Sequence, residues 1–402
     1  PELLERLRAE KFDAAYSEFF HYCAPVLFRM LGIDKFAITD SVAMNDAWFY
    51  YTQTPSNPSY VPTMMGTIGG ERMSFFERAH NAYIYSLMDY FYKENARLFQ
   101  QELAKKFPDL PPVRDLMGEN SLVFVNSEPL VDFPRPTSSR IIDIGGITVA
   151  SEHGPLEKKW SDMLGLRPRT IFLSFGTVAK AYLMPEQYMR TIIQVLKKFP
   201  EVTFIMKYEK PTNNISAGVP NLIEATWVPQ RELLHDPRLS AFITHCGQGS
   251  TTEAIDAGIP IIVIPVLADQ YRNAHQVVRS GTGIVLEKAQ LNSIEPLEAA
   301  IREILENPRW ISSCIFSKKF NNHSLNPSRW IFVKNMEFLA KHGPLRQLDH
   351  HGRHLNFFQY YLLDVIGVVL FVASLITALL ICVAIRVVLF VRSIVVVKRK
   401  SD

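Results

Sequence analysis

Cysteine is scarce: Cys23, Cys246, Cys314 and Cys382 are the only four among 402 residues, and they lie far apart. That excludes a disulfide framework and a CxxC-type zinc site. Charge of one sign is missing from most of the chain. Residues 386–402 hold five cations and one acid, a net +4 against +3 for the whole chain, so the other 385 residues sum to −1. A body this close to neutral offers no footprint for a polyanion, and no nucleic acid is expected as a partner. There is no GxxxxGKS/T, no GxGxxG and no GxSxG, which removes the P-loop, the dinucleotide fingerprint and the nucleophile elbow. Repeats and low-complexity tracts are absent as well. With 48% apolar and 21% charged residues, the chain is a folded protein long enough for two domains.

One long apolar run is present. Val365 to Ile385 is 21 residues without a charge, enough to cross about 30 Å of hydrocarbon as a helix. Five Lys/Arg follow it, against Arg346 and Arg353 before it, so the tail is expected in the cytoplasm and the body in the lumen or outside the cell. That topology requires a leader. The chain opens PELLERLRAEKFDAAY, with neither an initiator Met nor an apolar leader, so an upstream segment is expected. Sequons at Asn214-Ile215-Ser216 and Asn322-His323-Ser324 suit a luminal body. Lys398 and Lys400, fifth and third from the end, read either as a retrieval signal or as positive-inside anchoring alone. The stretch Asp349-His350-His351-Gly352-Arg353-His354 lacks a helical His pair with Glu, so it reads as a solvated interfacial segment and no metal is expected.

Helical patterns (LLERLRAEKF, then Phe75 to Phe107) and short apolar strands such as Ser121 to Val125 make residues 1–135 an incomplete α/β domain. Residues 136–169, rich in Pro, Ser and charge, read as a linker. From Thr170 the runs TIFLSFG, VTFIMKY, NLIEATWV, SAFITH and PIIVIPV alternate with helical patterns, which predicts a parallel sheet covered on both faces through 170–345. A juxtamembrane segment (346–364), the span (365–385) and a tail (386–402) complete the organisation.

Ligands of such sheets bind outside the carboxyl ends of the strands. Four exits stand out: Ser174-Phe175-Gly176-Thr177, Trp227-Val228-Pro229-Gln230, His245-Cys246-Gly247-Gln248-Gly249-Ser250-Thr251, and Asp269-Gln270. The third is richest. Its strand is predicted to run through His245 and two glycines into a helix over Ser250 to Ala257, presenting free amides and a positive dipole end to an anion. Ser250 and Glu253 read equally as an N-cap and its capping-box partner.

Residues 227–274, WVPQRELLHDPRLSAFITHCGQGSTTEAIDAGIPIIVIPVLADQYRNA, resemble the signature of the UDP-glycosyltransferase family. Weaker resemblance covers the whole chain, including the juxtamembrane GRHLNFFQYYLLDVIG, and the flavour is that of the animal, endoplasmic-reticulum-anchored branch, nematode-like. The resemblance implies the GT-B fold, α/β with two Rossmann-like domains, plus one C-terminal transmembrane helix. It implies that Trp227 stacks on uracil, that Gln230 bonds the nucleoside and that Glu253 accepts the ribose hydroxyls. His245, the amides around Gly247, Gly249 and Ser250, and the Thr177 hydroxyl would then meet the diphosphate. Asp269 and Gln270 would hold the sugar. Many members carry Asn where this chain has Gly249, so a side-chain amide is lost there.

The implied reaction is an inverting, metal-independent hexosyl or glucuronosyl transfer from a UDP-sugar, with no cofactor beyond that co-substrate. UDP-glucuronate and UDP-glucose stand equal as donors, and a small lipophilic alcohol, phenol or acid as acceptor. In the family a histidine near the start of the first domain is the base, in a segment that would precede Pro1. Its orienting carboxylate aligns with Glu18, where Asp is usual; Asp13 is the neighbouring alternative and His21 a substitute base of lower rank. Endoplasmic-reticulum membrane lipid and a second copy of the chain complete the expected partners. Two other classes fit the same residues: a membrane-anchored UDP-sugar-binding protein without transferase activity, and a sugar-nucleotide epimerase, which the anchor and the Asp269-Gln270 pair disfavour.

Overall fold

In the strand Arg169–Ser174, Ile171 and Leu173 enter one apolar cluster while Phe172 between them enters another. The strands Val202–Lys207 and Leu239–Thr244 repeat this split, with Phe204, Met206, Ala241 and Ile243 on one side and Ile205 and Phe242 on the other. Two buried faces explain why these strands read as continuous apolar runs. On the second face the rings of Phe172 and Phe242 stack at 5.0 Å.

A computed structural model describes residues 2–66, 70–149, 154–322 and 327–401. The first part of the chain runs α1 (Glu2–Ala9), β1 (Ala15–Glu18), α2 (Cys23–Leu31), β2 (Phe36–Asp40), α3 (Trp48–Thr52), α4 (Phe75–Lys106), α5 (Val113–Gly118), β3 (Leu122–Val125) and β4 (Ile141–Asp143). Its strands form a parallel sheet in the order β1-β2-β3-β4. There follow α6 (Lys158–Leu164), β5 (Arg169–Ser174), α7 (Glu186–Leu196), β6 (Val202–Lys207), β7 (Leu222–Ala225), α8 (Gln230–His235), β8 (Leu239–Thr244), α9 (Gln248–Ala257), β9 (Ile261–Val263), α10 (Gln270–Arg279), β10 (Gly283–Val285), α11 (Glu295–Glu306), α12 (Arg309–Asn322) and α13 (Ser328–His342). These strands make a six-stranded parallel sheet ordered β10-β9-β8-β5-β6-β7. Both sheets and their helices lie in one compact unit, Pro1–Asp349.

The structure redraws two parts of the sequence reading. The stretch expected as a linker carries β4, paired with β3 in the first sheet, and α6, whose Trp160 and Leu164 are buried with the second sheet's core. The helix α13, expected with the second domain, packs Ile331 and Leu339 against Ala37, Leu122 and Phe124 of the first sheet. Lys35 Nζ donates to Ala340 O at 2.7 Å and Ser328 Oγ to Gly145 O at 2.6 Å. The apolar face of the first sheet therefore finds its cover late in the chain, a non-local pairing that no local pattern announces.

The two sheets are joined by a buried charge. Asp132, after β3, accepts from Ser127, from the Arg272 guanidinium and, at 2.7 Å, from Gln276 Nε2. Arg272 and Gln276 both sit on α10. Burial would raise the Asp132 carboxyl, but Arg272 and Arg135 outweigh it and hold the group at about 2.

The second unit, His350–Asp402, consists of a short turn of helix at His351–His354, α14 (Phe357–Tyr360) and α15 (Leu363–Ser401). Within α15, Leu363–Phe390 is the one helix among the described residues long and apolar enough to cross a membrane. It extends past the 365–385 expected, because Arg386 interrupts the apolar composition without ending the helix. Asn214 of the first sequon is exposed in a turn; His323 and Ser324 of the second lie outside the described residues.

Replacing Asp132 with Ala leaves the buried Arg272 guanidinium without its ion-pair partner, and denaturant unfolding of the detergent-solubilised chain should show a loss of about 3–5 kcal/mol. The folded carboxyl lies below the unfolded value of about 3.9, so its contribution is complete above that pH and disappears as pH falls through 2. The variant should lose that acid-side slope.

Candidate functional site

Parallel order places the carboxyl ends of β8, β5, β6 and β7 along one edge of the second sheet. Their exits line an open cavity of about 680 Å³, which also takes in the loop after β9 and, from the first sheet, Val42 just beyond β2. All ten residues that the family resemblance names for the donor, from Thr177 to Gln270, line this one cavity.

His245 leaves β8 only 8% exposed, its ring held between two glycines. A Cβ on Gly176 would stand 2.6 Å from His245 Cε1, and one on Gly247 would stand 2.7 Å from Nε2. These glycines are required by the imidazole itself. Gly176 has the further constraint of φ +83°, a backbone region that Cβ disfavours. Burial, then the Lys207 ammonium, lowers the His245 pKa to about 4 against an opposing hydrogen bond with the Ser174 backbone. At neutral pH the ring is uncharged and offers one N–H donor. Cys246, between His245 and Gly247, is buried at φ +67° and its thiol is pushed up to about 12 by burial, so it is no nucleophile.

The helix beyond begins earlier than expected. Gly247, with extended backbone, is the N-cap of α9, and the first helical bond runs from Thr251 N to Gly247 O at 3.0 Å. The amides of Gln248, Gly249 and Ser250 thus have no acceptor inside the helix. Ser250 stands inside the first turn, so the capping-box alternative with Glu253 is not formed. Glu253 Oε2 instead accepts from Gln230 Nε2 at 2.7 Å, and Ser250 Oγ from the same nitrogen at 3.2 Å. A Cβ on Gly249 would meet nothing within 4 Å.

Trp227 is 71% exposed, its indole open to solvent at the cavity. Thr177 is exposed at the rim. Asp269 Oδ2 accepts from Asn273 Nδ2 at 2.7 Å, and burial raises its pKa. The Gln270 carbonyl is occupied by Val266 N at 2.9 Å and Leu267 N at 3.0 Å, so its amide nitrogen is the group left to meet a ligand.

Glu18 does not line the cavity. It ends β1, where Oε1 accepts from Ser41 N at 3.1 Å and Ser41 Oγ at 3.0 Å, and Oε2 from Thr39 Oγ1 at 3.1 Å. Ser41 adjoins the cavity-lining Val42. Asp13 is exposed at the opposite, amino end of β1, and His21 is exposed in the turn after it. Among the described residues no group of three or more His, Cys, Asp or Glu could hold a metal ion.

Two polar groups escape the sequence pattern. Lys207 ends β6 inside the cavity, where a lysine closing the strand VTFIMKY has no local mark that sets it apart from a solvated charge. Asp40, at the end of β2 beside Glu18, is pushed up to about 8 by burial, with Glu18 adding to the shift against hydrogen bonds from Trp48 and Asn45. An acid closing an apolar strand was its only signal.

The family model for "UDP-glucoronosyl and UDP-glucosyl transferase" matches residues 1–401. The chain belongs to this family. A putative UDP-glucuronosyltransferase of Caenorhabditis elegans, ugt-48, is 32% identical over 91% of this chain and 70% of its own length. Human UDP-glucuronosyltransferase 1A5 is 27% identical over 92% of this chain and 68% of its own. UDP-glucosyltransferase 2 of Dactylopius coccus is 29% identical over 78% of this chain and 60% of its own. Among solved structures, a UDP-glucosyltransferase from Polygonum tinctorium aligns with TM-score 0.58 at 17% identity, covering 85% of this chain and 80% of that one. The glycosyltransferase of kitacinnamycin aligns with TM-score 0.56 at 19% identity, covering 83% and 79%. The fold of this family member is GT-B.

The glycine geometry separates three otherwise similar changes. Gly176→Ala and Gly247→Ala force the imidazole aside and should each destabilise by about 1–3 kcal/mol. Gly249→Ala, into open space on a helix, should change stability by less than about 1 kcal/mol. Thermal unfolding of the three variants checks the order.

Proposed function

We propose that the chain is a UDP-glycosyltransferase that passes a hexosyl or glucuronosyl group to a small lipophilic acceptor with inversion. The observation that carries this reading is the convergence of Trp227, Gln230, His245, Ser250, Glu253, Asp269 and Gln270 on one cavity at the carboxyl edge of a parallel sheet. The exposed Trp227 ring is the platform for uracil. Glu253, once its bond to Gln230 is exchanged, accepts from the ribose hydroxyls. The diphosphate lies against the three free amides of α9 and the N–H of neutral His245. Asp269 accepts from sugar hydroxyls, and the Gln270 amide donates to a sugar oxygen.

In the reaction an acceptor oxygen forms its bond to the anomeric carbon as the bond to the β-phosphate oxygen breaks, and UDP leaves with the electron pair. Charge grows on the diphosphate in that step. The α9 amides and His245 are fixed in advance and stabilise it without reorganising. The acceptor hydroxyl must lose its proton during attack, and Glu18, held by Thr39 and Ser41, orients the base that takes it. Val42, Val178 and Leu267 give the cavity an apolar lip suited to a lipophilic acceptor. The helix Leu363–Phe390 anchors the protein, with the body in the endoplasmic-reticulum lumen and the basic tail in the cytoplasm.

Calorimetry on single variants tests the assignment. His245→Ala and Glu253→Ala should each weaken UDP binding by about 1–3 kcal/mol, and unchanged affinity in both would remove this donor site. Asp269→Ala should spare UDP and impair the UDP-sugar; equal loss for both ligands contradicts its role.

A further inference from the structure

Lys207 is 8% exposed, and a buried ammonium is costly unless its three donors are satisfied. Among the described residues its Nζ makes one hydrogen bond, to Gly176 O at 2.5 Å. The nearest carboxylate oxygen, Glu209 Oε1, stands 4.0 Å away, beyond hydrogen-bond reach. Glu209 itself is engaged, its Oε2 accepting from Ala181 N at 2.9 Å. The ammonium also lies 5.8 Å from the centroid of the Trp227 ring and close enough to His245 to lower its pKa. It therefore sits among the base platform, the glycine turn and the imidazole, in the wall of the cavity, with donor capacity unused.

We propose that Lys207 is a donor-binding residue whose ammonium meets the diphosphate of the nucleotide, completing with its free N–H groups the anion site begun by α9 and His245. The inference rests on the UDP-sugar reading and adds to it the cation that the cavity supplies from β6. A buried charge left with one acceptor gains most from a ligand that brings several anionic oxygens. The bond to Gly176 O gives Lys207 a second effect: it ties the exit of β6 to the turn that holds His245, so the cation and the imidazole face the ligand as one unit. The alternative is a purely structural strap between β5 and β6, with no contact to ligand.

The two roles separate by the charge of the probe. Calorimetric titration of the detergent-solubilised full chain with UDP and with uridine should show that Lys207→Met weakens UDP about 10- to 100-fold and uridine less than about two-fold, while Lys207→Arg keeps most UDP affinity. Wild-type UDP affinity should also fall with added salt more steeply than uridine affinity, a measurement that needs no variant to fold. Equal fold-losses for UDP and uridine, or no loss for either, would overturn the assignment, as would wild-type UDP binding indifferent to salt. Failure of the wild type to bind UDP at all would remove the donor reading itself, and Lys207's role with it; binding by the wild type that Lys207→Met leaves intact removes only the latter.

Discussion

The position of the His245 imidazole is the constraint around which the cavity is built. It leaves β8 next to the exit of β5, and only the missing side chains of Gly176 and Gly247 leave room for the ring between them. The same exclusion of water that holds the ring in place keeps it neutral. In the proposed reaction, a neutral donor and open helix amides fixed in advance are what would stabilise charge developing on a leaving diphosphate. Parallel register does the rest: because β8, β5, β6 and β7 are neighbours in that order, four distant stretches of chain deliver their first loop residues to one edge.

The helix α10 connects this cavity to the other sheet. Its first turn carries Gln270 beside Asp269, and residues further along it, Arg272 and Gln276, grip Asp132 after β3. Arg279 continues the contact, donating to Asp132 O at 3.2 Å. Gln270, proposed to meet the sugar, and the residues that hold the first sheet thus share one helix. The first sheet depends in turn on α13, which closes its second face. Neither sheet completes its surroundings from its own stretch of sequence.

Local pattern carried a good deal of this. Alternating apolar runs announced β5, β6 and β8, and the capping box of α4, with Ser74 N donating to Glu77 Oε2 at 2.7 Å, fits its helical periodicity. The cavity residues from Trp227 to Gln270 were legible because their spacing over 227–274 is that of a known family. Lys207 was not, since a lysine at the end of a strand looks like any solvated charge until the neighbouring exits are in place. The start of α9 was misplaced by two residues because Ser250 and Glu253 mimic a capping box, whereas Gly247 adopts the extended backbone that opens the helix. The docking of α13 and the burial of Asp132 depend on contacts between residues more than a hundred positions apart, and no local rule reports those.

The most direct measurement is calorimetric titration of UDP, UDP-glucose and UDP-glucuronate into the detergent-solubilised full chain. Saturable one-to-one binding of UDP and of at least one of the two sugar nucleotides, competing for the same site, is the expected result. A chain that unfolds cooperatively yet takes up none of the three would contradict it.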